Sequence, residues 1–336
     1  MATNRPLVLL VALALLAGAA RAEDFRIADA RSLAAAGPPK PHTIAFADHH
    51  EDDLTDPATG LVRFEDWARA MPVQKQFLSL YPSYSEPMVD VAENGPAKPT
   101  NEKLHMYVAE ARFMLPKPPQ SIDLTHYATI AFLERIDPKI THEPLAPAEA
   151  EQTSNPNPDR RWCDAKPDVQ CIESRYELEG KLPSGIHLVN KLVENKKKIA
   201  DYLQFQSELR ILPEAELAQA GLTKLTGIDA PIASALEQNI FHVNQVMQFG
   251  KFLALLQPDA AEAGNTVVTA FVVLAIKSRV LENKNKYAAV PVLRNLVPGQ
   301  VLVGKSSFNT GTSISAGLPS YARNQIKAVA GILEQE

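Results

Sequence analysis

The run Thr266–Val280 (TVVTAFVVLAIKSRV) most constrains what this chain can fold into. Its first eleven residues are apolar or threonine and rich in Val, Phe and Ile, a composition that favours a pleated, buried strand over a helix. The run meets Lys277 well short of the roughly 20 apolar residues that a membrane-spanning helix needs. The expectation is a core strand of a soluble domain.

Other stretches supply partners for such a strand. In Ile172–Glu179, Ile172, Ser174, Tyr176 and Leu178 alternate with Glu173, Arg175, Glu177 and Glu179, as in a half-exposed strand. Ile199–Ile211 alternates in the same way, and Gln245–Leu256 also reads as a strand, with a continuing helix up to Gly250 as the alternative. Thr125–Ile136 alternates imperfectly and is expected to be a strand. Leu104–Leu115 fits both the helix and the strand template. Ala288–Asn295 carries Pro291, which implies an edge strand or bulge, and Gln300–Gly304 can pair as a short strand.

Helices are expected between them. Glu65–Leu80 has helical spacing, kinked or split at Pro72. Ser184 can cap a helix to about Glu194. Pro213 starts a short helix to about Ala220, and Asp229 with Pro231 marks another to about Val243. Asn309–Gly317 reads as a loop. After Pro319, the residues Ala322, Ile326, Val329, Ala330 and Leu333 form one apolar stripe of a terminal helix. The fold class that follows is α+β: a mainly antiparallel sheet with helices packed on one face and an amphipathic C-terminal helix.

The N-terminus has the organisation of a secretory signal peptide. Arg5 precedes the apolar run Leu7–Ala20, and Ala20-Arg21-Ala22 supplies small residues for cleavage between Ala22 and Glu23. The implied location is the periplasm or the exterior. The two cysteines, Cys163 and Cys171, are then expected to form a disulfide across DAKPDVQ. Eighteen of the 26 prolines lie between Pro38 and Pro167, which makes long regular elements scarce there. The domain expectation is a signal peptide over 1–22, a proline-rich region with little regular structure over 23–120, and an α+β domain over 121–336. Past the signal, 32 basic and 39 acidic residues leave a net charge near −7, no footprint for nucleic acid.

Two motifs invite chemistry. Gly299–Ser306 (GQVLVGKS) matches the P-loop pattern, but that loop must curl around phosphate and lead into a helix. Here QVLV is apolar and strand-like and SFNTGTSISAG follows, so nucleotide is not expected as a ligand. The run Asp48–Asp53 (DHHEDD) gathers imidazoles and carboxylates, with Asp48, His49, His50 and Asp52 as candidate ligands of a metal such as zinc. Neighbours along an extended chain point apart, so the simpler reading is a solvated acidic loop. There is no G-x-S-x-G elbow, and His126 and His242 sit in apolar surroundings.

The functional expectation is therefore an exported, non-catalytic protein without a cofactor, binding an apolar small molecule or a cell-envelope partner, with no membrane span after signal cleavage. The alternatives are a metal-dependent hydrolase built on Asp48–Asp53 and a structural envelope protein without a ligand pocket.

Overall fold

The structure, a computed structural model, describes residues 25–48, 54–56, 60–80, 88–90, 98–100, 103–150, 161–164, 166, 168–177, 202–219, 221–243, 247–262, 264–278 and 313–336. The strands are β1 (Arg26–Asp29), β2 (Thr43–Asp48), β3 (Thr55–Asp56), β4 (Leu61–Arg63), β5 (Met88–Asp90), β6 (Lys98–Thr100), β7 (Leu104–Leu115), β8 (Ile140–Pro144), β9 (Val169–Glu177), β10 (Tyr202–Ile211), β11 (Ser234–Val243), β12 (Met247–Pro258) and β13 (Thr266–Lys277). The helices are α1 (Leu33–Ala36), α2 (Phe64–Ala70), α3 (Pro72–Leu78), α4 (Ile130–Ile136), α5 (Glu214–Gln219), α6 (Thr223–Thr226) and α7 (Ser313–Gln335).

The fold is α+β. The main sheet runs β1-β2-β7-β13-β12-β11-β10-β9-β8, with β3 and β4 attached to β7, while β5 and β6 pair separately. β1 and β2 are parallel, and the other pairings are antiparallel. β13 lies inside the sheet, flanked by β12 and β7 along its whole length. Its composition accounts for this position: Val268 and Val272 project to one face, Phe271 and Val273 to the other, and all four are buried.

Each face carries its own apolar layer. On the first, α7 covers the sheet with Ala322, Ile326, Ala330 and Leu333, and α4 adds Phe132. On the second, Phe64 and Trp67 of α2, Leu78 of α3 and Trp162 pack against Phe249, Leu253 and Phe271. The Trp162 ring stacks on Phe241, with centroids 4.8 Å apart and planes 7° from parallel. Beside it, Cys163 and Cys171 stand at disulfide distance, their Cα atoms 5.3 Å apart.

Several expectations are corrected. Thr125–Ile136 is not a strand: a 3-10 turn, Leu124–His126, leads into α4, whose N-cap Thr129 accepts a hydrogen bond from the Phe132 amide at 3.2 Å. That local cap outweighs an imperfect alternation. The helix expected from Pro231 to Val243 is strand β11, because pairing with β10 and β12 on both sides overrides the apparent helix start. α7 begins at Ser313, so part of the expected Asn309–Gly317 loop is helical and Pro319 lies inside the helix. Pro72 does split the preceding helix, into α2 and α3. There is more regular structure before residue 121 than the proline density predicts: β1, β2, β4 and β7 all join the main sheet. The prolines fall between these elements, and β7 contains none. The expected Ser184–Glu194 helix, the Ala288–Asn295 and Gln300–Gly304 strands and the signal segment lie outside the described residues.

The second face also buries charge. Glu237 of β11 pairs with Lys251 of β12 and with Arg210 of β10, whose Nε lies 2.7 Å from Glu237 Oε2. Glu208 accepts from the Asn239 side chain at 3.3 Å and from the Cys163 backbone amide at 3.1 Å. Burial alone would push the Glu237 carboxyl up, but the Lys251 ammonium and Arg210 guanidinium outweigh it and hold the group down, at about 2.

Two predictions follow from this face. A carboxyl depressed in the fold contributes stability that is present above its ordinary value of 4.5 and is lost as pH falls through about 2. Urea midpoints should therefore decline from pH 5 to pH 2, and Glu237→Gln should flatten that decline. At neutral pH the same substitution should cost about 3–5 kcal/mol, because Lys251 loses its partner. The second concerns the cysteines: intact mass after alkylation should show no modification without reductant, and reduction should destabilise by roughly 2–3 kcal/mol for so short a loop.

Candidate ligand-binding cavity

Sheet register creates the site. Reading across β11, β12, β13 and β7 on the first face, Leu236, Ala254, Ala270 and Ala111 are consecutive cross-strand partners. Three neighbouring strands thus present alanine in one row, where the adjacent rows present Phe252 with Val272 and Leu256 with Val268 and Phe113. A further row is closed differently. At Gly250 an added Cβ would meet Ile240 Cδ1 at 3.0 Å and Leu274 Cδ2 at 3.1 Å, so neighbouring side chains already occupy that space. The alanine row lacks such filling, and a cavity of about 150 Å³ opens above Ala254 and Ala270.

The walls come from distant parts of the chain. α7 forms the roof with Tyr321, Gln325, Ile326, Val329 and Leu333, which share one helix face. α4 supplies Phe132, Leu133 and Ile136, and Phe205 and Leu209 of β10 close the side. α7 is tied down at several points. Arg323 lies 2.7 Å from Asp29 and over the Phe46 ring, 4.6 Å from its centroid. Near the other end, Glu336 pairs with Arg135.

Polar groups gather where α7 meets the turn after α4. Gln325 donates from Nε2 to Asp137 Oδ2 at 3.0 Å, and the Lys139 amide donates to Asp137 Oδ1 at 3.1 Å. His142 Nδ1 lies 2.8 Å from Ser174 Oγ. Burial pushes the His142 ring down from its ordinary value against the pull of Glu134 and Asp137, so it is neutral at pH 7. Burial, then Asp137 and Tyr176, push the Tyr321 phenol up, so it keeps its proton. Asp137, His142, Tyr321 and Gln325 all line the cavity.

The residues singled out in the sequence are elsewhere. Asp48 ends β2, where it accepts from Tyr107 Oη at 3.4 Å and lies 3.8 Å from Arg323. His49, His50, Asp52, the Ala22–Glu23 junction and the Gly299–Ser306 pattern lie outside the described residues. Among the described residues no group of three or more His, Cys, Asp or Glu is placed to hold a metal. The structure does join three separate segments that no local motif connects: His105 Nδ1 is 2.8 Å from Ser278 Oγ, and His105 Nε2 is 3.3 Å from Asp56 Oδ2. Ser278 is only 3% exposed and does not line the cavity described above.

The cavity residues escaped the sequence reading because none carries a motif. The signals the sequence did carry were the stripe of the terminal helix, of which Ile326, Val329 and Leu333 line the cavity, and the alternation that places Phe205 and Leu209 on one face.

No family model and no curated protein sequence matches the chain. Among solved structures, the Zhui aromatase/cyclase from Streptomyces sp. R1128 is similar at 10% identity and a TM-score of 0.36, over 69% of this chain and 95% of that one. A STAR-related lipid transfer protein from Xanthomonas axonopodis is similar at 9% identity and a TM-score of 0.26, over 55% of this chain and 80% of that one. The lipid transfer and protein localization domain of human StarD13 (DLC2) is similar at 6% identity and a TM-score of 0.29, over 78% and 94%.

Proposed function

We propose that this chain is an exported, non-catalytic protein that binds a small apolar ligand between its sheet and α7. The observation that carries this reading is the cavity over the alanine row. Close packing is the rule in protein interiors, and this partly open space of about 150 Å³, lined mainly by apolar side chains, departs from it. A ligand that occupies it recovers contacts that the alanines do not make. Export is supported by the signal-like N-terminal sequence and by the cysteine pair at disulfide distance. Among the described residues, no helix is long and apolar enough to cross a membrane.

Ala270→Phe tests the reading directly, because the added ring fills the space from the floor. The wild-type protein should bind a fluorescent apolar probe at one site, and extraction of the purified protein should release a small apolar compound. The variant should lose both while remaining folded, with a stability change within about 1–3 kcal/mol. Absence of probe binding by wild type would remove the proposal. Leu333→Ala should cost about 2–3 kcal/mol, at the low end for a core leucine, because the side chain already borders space. A loss near 5 kcal/mol in chemical denaturation would indicate solid core instead.

A further inference from the structure

We propose that the ligand of this cavity is a small uncharged molecule with a hydroxyl-type donor at one end, seated with its apolar body over Ala254 and Ala270 and its donor on the Asp137 carboxylate. This assignment rests on the ligand-binding reading above and specifies the chemical class.

Three observations carry it. The first is the size. A volume of about 150 Å³ matches an apolar cavity that holds a benzene-sized guest, so the enclosed part of the ligand has few heavy atoms. The second is the asymmetry of the lining. Phe132, Phe205, Phe252 and Val268 surround the body of the space, where the one polar side chain, Gln238, is spent on Ser207, while Asp137, His142, Tyr321 and Gln325 collect around the turn between α4 and β8 and the facing side of α7.

The third is the hydrogen-bonding capacity of that polar end. A carboxylate offers about four acceptor positions. Asp137 uses its oxygens for the Gln325 side chain and the Lys139 amide, which leaves room for a ligand donor. The bond to Gln325 also fixes Asp137 against the roof helix, so the acceptor is held in place before the ligand arrives. An anionic head group would be placed beside this carboxylate, and none of the described residues lining the cavity is Lys or Arg. A charged head would also have to leave water for a largely apolar space, which favours an uncharged one.

The test compares four small molecules of matched length with the full chain: n-hexanol, methyl pentyl ether, hexanoate and n-hexylamine, titrated by NMR at neutral pH. The ether keeps the oxygen and the size but has no donor. The alcohol should bind about tenfold more tightly than the ether, the size expected for one hydrogen bond to a charged acceptor, and hexanoate should not bind measurably. Asp137→Asn, checked for an unchanged melting profile, should reduce the preference for alcohol over ether severalfold while leaving ether affinity in place. Equal affinity for alcohol, ether and hexanoate would overturn this assignment and leave a plain apolar site. Tightest binding by hexylamine would overturn it in favour of a cationic ligand. Failure of all four, together with the apolar probe, would instead remove the ligand-binding reading itself.

Discussion

Burial of the central strand on both faces is the constraint from which the rest of this architecture follows. β13 has no polar side to offer water: Val268 and Val272 need cover on one face, Phe271 and Val273 on the other. A single layer of helices would leave one set exposed. The chain answers with α7 and α4 on the first face and with α2, α3 and the Trp162–Cys163 segment on the second. At about 25 cal/mol per Å² of apolar surface removed from water, these two layers dominate the favourable side of folding.

The two faces then diverge in what they hold. The second buries charge in pairs, as Glu237 with Lys251 and Arg210. Removing one partner there would strand a charge, so that face tolerates little change. The first face has the same strands beneath it and a long helix above, yet its middle row is Ala254, Ala270 and Ala111. The helix lies against β7, where Ala111 is fully buried, and leaves the space over Ala254 and Ala270. The cavity is thus a product of register, and its polar end is a product of where α4 stops and β8 begins.

This division explains what the sequence made legible. The run beginning at Thr266, the alternation around Phe205 and Leu209 and the stripe Ala322–Leu333 each carry a periodicity of their own, so the α+β class and the terminal helix could be read directly. β7 was ambiguous because it, too, is buried on both faces, and alternation vanishes in such a strand. β11 was misread because Pro231 lies close before it and mimics a helix start, whereas the pairing that makes it a strand is non-local. The cavity was illegible for the same reason: nothing marks Ala254, Ala270 and Ala111 as neighbours until the strands are placed in register. Asp137 and Gln325 are likewise brought together from opposite halves of the chain.

The most direct measurement is a methyl-resolved NMR titration of the protein with n-hexanol. Val268, Val272, Ile326 and Leu333 report on the first face, and Val108, Leu255 and Val273 on the second. A ligand held over the alanine row should shift the first group in a saturable manner and leave the second unchanged. Saturable shifts confined to the second face, or no saturable shifts at all, would contradict the account.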